Sequence, residues 1–333
     1  MQRVLVIRIG RLGDTLLATP VIEALRQACG PGVKIDFAAS PGASAYILEL
    51  DERVNRVFPI AHRSTPWRLH RVKRALERHS REFPYDLVIN LECGHECDDF
   101  IRFARHDKFL GRPLVETQHR EDRHCVDTEK SIYAEFLGRN ISRNADTSLK
   151  LKLETQQLPV PVGVKYLVIN PGFSGLGRAG YRSHRAWPES HWVRLVELIR
   201  KDTGWPVLVN GTAAEQAFFP GLLEAPGVHS LMGSSLPTLV QALSGAQCLV
   251  SVDTGTMHLA TALATPVVAL FGPTNPQLTG PYSIKDANRV LVSGVDCQPC
   301  VNTAAQRKCT LNRCMTGLSP EVVYDACLQV VSA

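Results

Sequence analysis

Long hydrophobic runs are missing from this sequence. No apolar stretch approaches the roughly 18 residues that a membrane-spanning helix requires, so no segment reads as a membrane span. The chain opens on Arg3-Val4-Leu5-Val6-Ile7, which reads as a core strand, without the basic region, long apolar core and small-residue cleavage site of a secretory leader. A cytoplasmic protein is therefore expected. The ten cysteines, scattered through a chain without an export signal, are expected to be reduced thiols in most positions. Aromatic residues make up only 7% and are not interleaved with the basic ones, and no nucleic-acid motif appears, so nucleic acid is not an expected partner. No repeat period short enough for a solenoid is visible. A metal-binding D-x-D tripeptide is absent, and His95-Glu96 does not extend to H-E-x-x-H, which removes a metalloprotease.

What is present describes a globular α/β protein. The 333 residues fit two domains of about 150 residues each, and 44% hydrophobic with 21% charged residues are globular values. In the first half, the strand candidates Arg3 to Ile9, Val33 to Ala38, Arg56 to Pro59 and Asp86 to Leu91 alternate with helical segments. Those helices are Thr15 to Cys29, Ala43 to Leu50, Trp67 to Glu82 and Glu96 to His106, and a last one runs from about Asp127 to Leu137. Alternation at this spacing means parallel pairing in a doubly wound sheet. The polar stretch Arg139 to Val164 reads as the interdomain connection, and strand Lys165 to Ile169 starts the alternation again. The expected domains are 1–155, 156–318 and a C-terminal helical segment, 319–333.

The most informative stretch is Cys248 to Pro276, CLVSVDTGTMHLATALATPVVALFGPTNP. It reads as strand, turn, helix, strand, the pattern of a βαβ crossover, so its turn lies at the carboxyl edge of a parallel sheet where ligands of open α/β folds bind. Asp253-Thr254-Gly255-Thr256 supplies a side-chain cap, a glycine that admits a close ligand, and helix N–H groups facing outward, which favours an anion such as a phosphate. The N–H of Met257 belongs to that cradle, and His258, one turn in, either donates to the phosphate or packs. A cap touching no ligand remains the other reading of Asp253.

Four further constellations carry chemistry. Ile9-Gly10-Arg11-Leu12-Gly13-Asp14-Thr15 closes the first strand, with Gly10 and Gly13 permitting a tight turn and Asp14 standing near a helix N-terminus as a ligand-facing carboxylate or a cap. Pro20 allows a kink in the helix that follows. Gly175-Leu176-Gly177-Arg178-Ala179-Gly180 matches G-x-G-x-x-G, but four residues separate it from the strand and a polar segment follows, so a flexible loop is preferred to an NAD site. Cys297-Gln298-Pro299-Cys300 with Cys309 and Cys314 could close a tetrahedral metal site or remain free thiols; the C-x4-C second pair departs from the usual knuckle. Between His62 and Arg81, the residues Arg63, Arg68, Arg71, Lys73, Arg74, Arg78 and Arg81 face a single Glu77, while Leu69, Val72 and Leu76 recur at helical spacing. This is an amphipathic helix whose basic face meets either an anionic surface or solvent. His95, in the dense patch Glu92 to Asp99, is assigned to an acceptor-facing loop.

The stretch at Asp253 to Thr274 closely resembles the DTGxxHLAxALxTPVVALFGPT signature of the ADP-heptose:lipopolysaccharide heptosyltransferases, and the similarity extends to Gly13-Asp14 and to Arg185-Ala186-Trp187-Pro188. The resemblance implies a GT-B fold of two Rossmann-like domains facing a central cleft, with the last helix crossing back to the first domain. It implies transfer of L-glycero-D-manno-heptose from ADP-heptose to an anionic lipopolysaccharide core acceptor, with inversion and no required cofactor or metal, at the cytoplasmic face of the inner membrane. Asp14 then corresponds to the base that takes the acceptor hydroxyl's proton. Arg185 corresponds to the basic residue of a K-x-W-P element that contacts the donor diphosphate, with Arg where Lys is usual. Glu215, in Asn210-Gly211-Thr212-Ala213-Ala214-Glu215, corresponds to a donor-nucleoside ligand, and a first-turn helix Glu is its other reading. Gly10, Arg11 and Gly13 fall on the acceptor side, as do Arg63, Arg68, Arg71, Arg74 and His95. A protein or small-molecule acceptor, or an NAD-dependent oxidoreductase, are the alternatives.

Overall fold

The computed structural model describes residues 1–61, 65–92, 97, 99–111, 123–177, 184–283 and 288–332. The chain divides into two compact units, Met1–Lys152 and Leu153–Ala333. In the first, strands β1 (Arg3–Arg8), β2 (Lys34–Ala39), β3 (Arg56–Pro59), β4 (Tyr85–Asn90) and β5 (His106–Leu110) form one sheet in the order β3-β2-β1-β4-β5. The second sheet has the order β11-β10-β9-β6-β7-β8, from β6 (Leu167–Asn170), β7 (Val207–Val209), β8 (Val228–Ser230), β9 (Leu249–Val252), β10 (Val267–Leu270) and β11 (Arg289–Leu291). Every pairing is parallel. Each unit thus has the doubly wound Rossmann order, and in each the order reverses beside its first strand, between β1 and β4 and between β6 and β9.

Strands covered on both faces are largely apolar, which is why β1, β6, β9 and β10 are built mostly of Val, Leu and Ile and are buried almost end to end. The core of the second unit gathers Trp187, Trp192, Val196, Val250, Leu270 and Met315. Trp187 and Trp192 meet edge to face at 4.7 Å, and the Trp187 indole N–H donates to the Leu318 carbonyl at 2.9 Å. That bond ties the loop before helix Glu189–Thr203 to the segment leading into the final helix, Pro320–Ser332. The final helix packs on helix Glu189–Thr203 and on β10 and β11 of the second unit.

Several sequence expectations are revised. The single helix from Thr15 to Cys29 is two, Leu12–Leu17 and Pro20–Cys29, because Pro20 cannot donate into the preceding turn and starts a new helix instead. The helix expected from Glu96 to His106 is confined, among the described residues, to Asp99–Phe103, and β5 follows it. β5 was missed because it is an edge strand, paired only to β4, and His106-Asp107-Lys108 keeps polar side chains where one side has no partner. The helix from Trp67 to Glu82 begins as a 3-10 turn, Trp67–Leu69, and restarts as Arg71–Glu82. This break changes the helical phase, so Leu69 is 77% exposed whereas Trp67 and Lys73 are buried. The Lys73 ammonium donates to the Thr65 carbonyl at 3.0 Å. No helix among the described residues is long and apolar enough to cross a membrane.

Replacing Trp187 removes a fully buried indole and its hydrogen bond together. Trp187→Ala should therefore destabilise the second unit by about 3–5 kcal/mol, read as a lowered midpoint in chemical denaturation, whereas Trp187→Phe, which keeps most of the volume, should cost less.

Candidate active site

At the switch point of the first unit, β1 ends in Arg8 and Ile9, and the chain turns through Gly10 and Arg11 into helix Leu12–Leu17. Gly10 is required by packing: a Cβ there would lie 2.5 Å from the Asp14 Cβ. Asp14 accepts the Arg11 backbone N–H at 2.9 Å, so it does cap the helix, yet its side chain stays 48% exposed and offers its remaining lone pairs outward. Behind it stands Arg8. Its Nε donates to the Asp14 carbonyl at 3.3 Å and its Nη1 to the Leu91 carbonyl at 3.1 Å. Its Nη2 lies 3.8 Å from Asp14 Oδ1 and 3.1 Å from Glu129 Oε1, while Nη1 lies 3.9 Å from Glu92 Oε1. Glu92, just past β4, accepts the Ile9 N–H at 2.5 Å. Burial pushes the Glu129 carboxyl up to about 7; Arg8 opposes this, and Asp14 and Glu92 add to it.

Arg8 and Glu129 were not singled out in the sequence, and Glu92 figured there only as the first residue of the dense patch Glu92 to Asp99. A lone arginine in the apolar run Val6-Ile7-Arg8-Ile9 is a signal that reading could have used. Glu129 lies inside helix Cys125–Leu137 with nothing in its spacing to mark it.

The second unit builds its site at the ends of β6, β7 and β9. Asn170 donates to the Gly172 carbonyl at 2.9 Å and to Thr254 Oγ1 at 3.4 Å, and its own Oδ1 accepts from Asn210 Nδ2 at 2.7 Å. Ser251 and Thr254 hydroxyls lie 3.3 Å apart. Arg185 Nη1 donates to the Asp253 carbonyl at 3.1 Å, and its Nη2 lies 3.4 Å from Asp253 Oδ2. That same oxygen accepts the Thr274 hydroxyl at 2.8 Å. Asp253 is thus an almost buried anchor that fixes a partly exposed guanidinium, and the structure brings Arg185, Asp253 and Thr254 together as their sequence patterns suggested.

Helix Gly255–Ala262 begins there, with Gly255 and Thr256 in its first turn. The Met257 side chain is fully buried and its N–H donates to the Thr254 carbonyl at 3.2 Å, so this amide closes the turn instead of facing a ligand. His258 is buried in the same turn, 7% exposed. Glu215 accepts the Thr212 N–H at 2.7 Å and its hydroxyl at 3.0 Å, and a Cβ at Gly172 would lie 2.5 Å from the Glu215 Cδ. The carboxylate therefore caps its own 3-10 turn and lies directly over Gly172, beside Asn170.

Other candidates fall outside these two clusters. Arg68, Arg71 and Arg74 are exposed on the basic segment. Arg63, His95 and Gly180 lie outside the described residues. Gly175 and Gly177 adopt positive φ in a turn, and the next described helix begins only at Glu189, which is not the strand-to-helix geometry of a dinucleotide fingerprint. Cys297, Cys300, Cys309 and Cys314 line one hollow of about 680 Å³ together with His184. Among the described residues no group of three or more His, Cys, Asp or Glu side chains is placed to hold a metal ion. Burial raises the Cys314 thiol to about 11, with the neighbouring cysteines adding to the shift.

Comparison with known proteins agrees with this geometry. The sequence model of glycosyltransferase family 9 (heptosyltransferase) matches residues 105–311. Lipopolysaccharide heptosyltransferase 1 of Pseudomonas aeruginosa is 29% identical over 324 residues, covering 90% of this chain and 86% of that protein. Lipooligosaccharide heptosyltransferase 2 of Campylobacter jejuni is 26% identical over 334 residues, covering 94% of each. Among solved structures, the Escherichia coli heptosyltransferase WaaC with ADP superposes with a TM-score of 0.71 at 24% identity, over 99% of this chain and 100% of that one. A family 9 glycosyl transferase from Veillonella parvula does so with a TM-score of 0.76 at 20% identity, over 99% and 97%. Two doubly wound parallel units of this kind make up the GT-B class of glycosyltransferases, and the chain belongs to glycosyltransferase family 9, the heptosyltransferases.

Proposed function

We propose that this enzyme transfers L-glycero-D-manno-heptose from ADP-heptose to a sugar of the lipopolysaccharide core, inverting the anomeric centre. The observation that carries the reading is the half-exposed Asp14 carboxylate, held at the carboxyl edge of the first sheet by a backbone amide and a partly buried arginine. The relatives' names supply the sugar and the acceptor class, and a solved neighbour was captured with an ADP-heptose analogue.

In the proposed reaction Asp14 takes the proton of the attacking acceptor hydroxyl as the new bond forms to the anomeric carbon, on the face opposite the departing ADP. Negative charge develops on the diphosphate as the sugar leaves. Arg185, fixed by Asp253, and the N-terminus of helix Gly255–Ala262 supply positive potential for it, with His258 behind that turn. No divalent cation is assigned to the step. Glu215 and Asn170 are assigned to the donor nucleoside. The exposed Arg68, Arg71 and Arg74 are assigned to the anionic acceptor, and in this reading the enzyme works as a peripheral protein at the cytoplasmic surface of the inner membrane.

Asp14→Asn should lower kcat for ADP release in the presence of acceptor by about 10²–10⁴-fold while leaving the KM for ADP-heptose nearly unchanged; near-normal turnover would remove the base assignment. Arg185→Ala should cost about 1.5–3 kcal/mol in kcat/KM for the donor, read by the same assay, with Arg185→Lys recovering part of the loss. A donor panel tests the sugar: ADP-heptose should be turned over and ADP-glucose poorly, with the product identified by mass.

A further inference from the structure

Arg8 faces more carboxylates than one guanidinium can neutralise. Its Nη2 alone lies 3.1 Å from Glu129 Oε1 and 3.8 Å from Asp14 Oδ1, so two acids from different helices share one nitrogen. Glu129 is the nearer and the better hidden, its side chain 10% exposed against 48% for Asp14. Its second oxygen, Oε2, is buried and accepts no hydrogen bond among the described residues. A carboxylate in that position is costly unless it keeps its hold on Arg8. Resting on the assignment of Asp14 as the base, we propose that Glu129 is a positioning residue for Asp14: by competing for one edge of Arg8, its charge decides how firmly that arginine holds the Asp14 carboxylate.

An arginine held close to Asp14 occupies a carboxylate oxygen that the acceptor hydroxyl would otherwise reach. When Glu129 is charged it draws Nη2 to itself, and that Asp14 oxygen is left open to the hydroxyl. When Glu129 is neutral, Nη2 is released toward Asp14 and competes with the hydroxyl for it. Among the described residues, the groups facing Glu129 are Arg8 from β1, Asp14 from helix Leu12–Leu17, Glu92 from the segment after β4, and Cys125 from its own helix. Glu92 is engaged by the Ile9 amide, and burial holds the Cys125 thiol up at about 12, neutral across the working range. Burial raises the Glu129 carboxyl to about 7, so it is protonated below neutrality and charged above it. The Asp14 oxygen should thus be freed, and kcat should rise, as pH increases through about 7 and Glu129 becomes charged.

The test is the pH dependence of kcat from about pH 5.5 to about pH 8.5, read as ADP release at saturating ADP-heptose and acceptor, for the full-length enzyme and for Glu129→Gln, Glu129→Asp and Arg8→Lys. The wild-type enzyme should show a rise of about threefold centred near neutrality. Glu129→Gln, a permanent mimic of the protonated acid, should lose that rise and stay near the lower plateau, with the donor KM unchanged. Glu129→Asp should restore a rise, displaced in pH. Arg8→Lys, which cannot present two edges of a fork, should also erase it and serves if the glutamine variant fails to fold. A Glu129→Gln enzyme with the wild-type profile and kcat would overturn the proposal, as would an Arg8→Lys enzyme that keeps the rise. Asp14→Asn separates the two readings. If it retains near-normal turnover the base assignment itself fails, whereas a dead Asp14→Asn enzyme beside an unaltered Glu129→Gln profile sinks only the role of Glu129.

Discussion

The rest of the structure depends on how parallel strands end. At the carboxyl edge of each sheet, next to the strand where the order reverses, neighbouring chains turn away in opposite directions and leave backbone amides and carbonyls with no ladder to join. Some of those groups are met here by polar side chains at or just past the strand ends, themselves held by one another. In the first unit Arg8 takes the Leu91 carbonyl and Glu92 takes the Ile9 amide. In the second, Asn170 takes the Gly172 carbonyl, and Asn210 takes the Asn170 amide oxygen. Satisfying the backbone is what places a charged or polar layer directly beneath each site.

The two layers differ in sign, and that difference matches the chemistry of group transfer. The first is an arginine surrounded by acids, with Asp14 as its exposed outlet. The second is an acid, Asp253, surrounded by donors, with Arg185 as its partly exposed outlet. In each case the partner behind the outlet is opposite to it in charge and orients it without spending all of its solvent-facing lone pairs or N–H groups. A transfer with inversion needs one proton acceptor and one counter-charge for a leaving diphosphate, the roles proposed above for Asp14 and Arg185.

Glycine enters this design through space more than through backbone freedom. Gly10 and Gly172 both have ordinary φ, and both are places where a Cβ would collide with the carboxylate side chain that matters, Asp14 in one unit and Glu215 in the other. A short strand-to-helix turn followed by an acid lying back over it demands a residue with no side chain.

The sequence by itself determined the two-unit α/β architecture, because strands buried on both faces must be continuous apolar runs and crossovers must be amphipathic. It also marked Asp14 and the turn at Asp253 to Thr256 as candidates, because each sits in a short polar segment at a strand end, whereas Arg185 was reached through the resemblance of Arg185-Ala186-Trp187-Pro188 to a K-x-W-P element. Only the tertiary structure decided what lies behind them. β5 was hidden because an edge strand may be polar, and Leu69 was assigned to the wrong face because a one-residue break at His70 shifted the helical phase. Met257 proved to be core, and Asp253 a buried anchor with two donors on one oxygen. The cluster of Arg8, Glu92 and Glu129 joins residues from β1, the end of β4 and a helix far along the chain. No local pattern encodes such a meeting, since it arises from the order in which parallel strands are laid side by side.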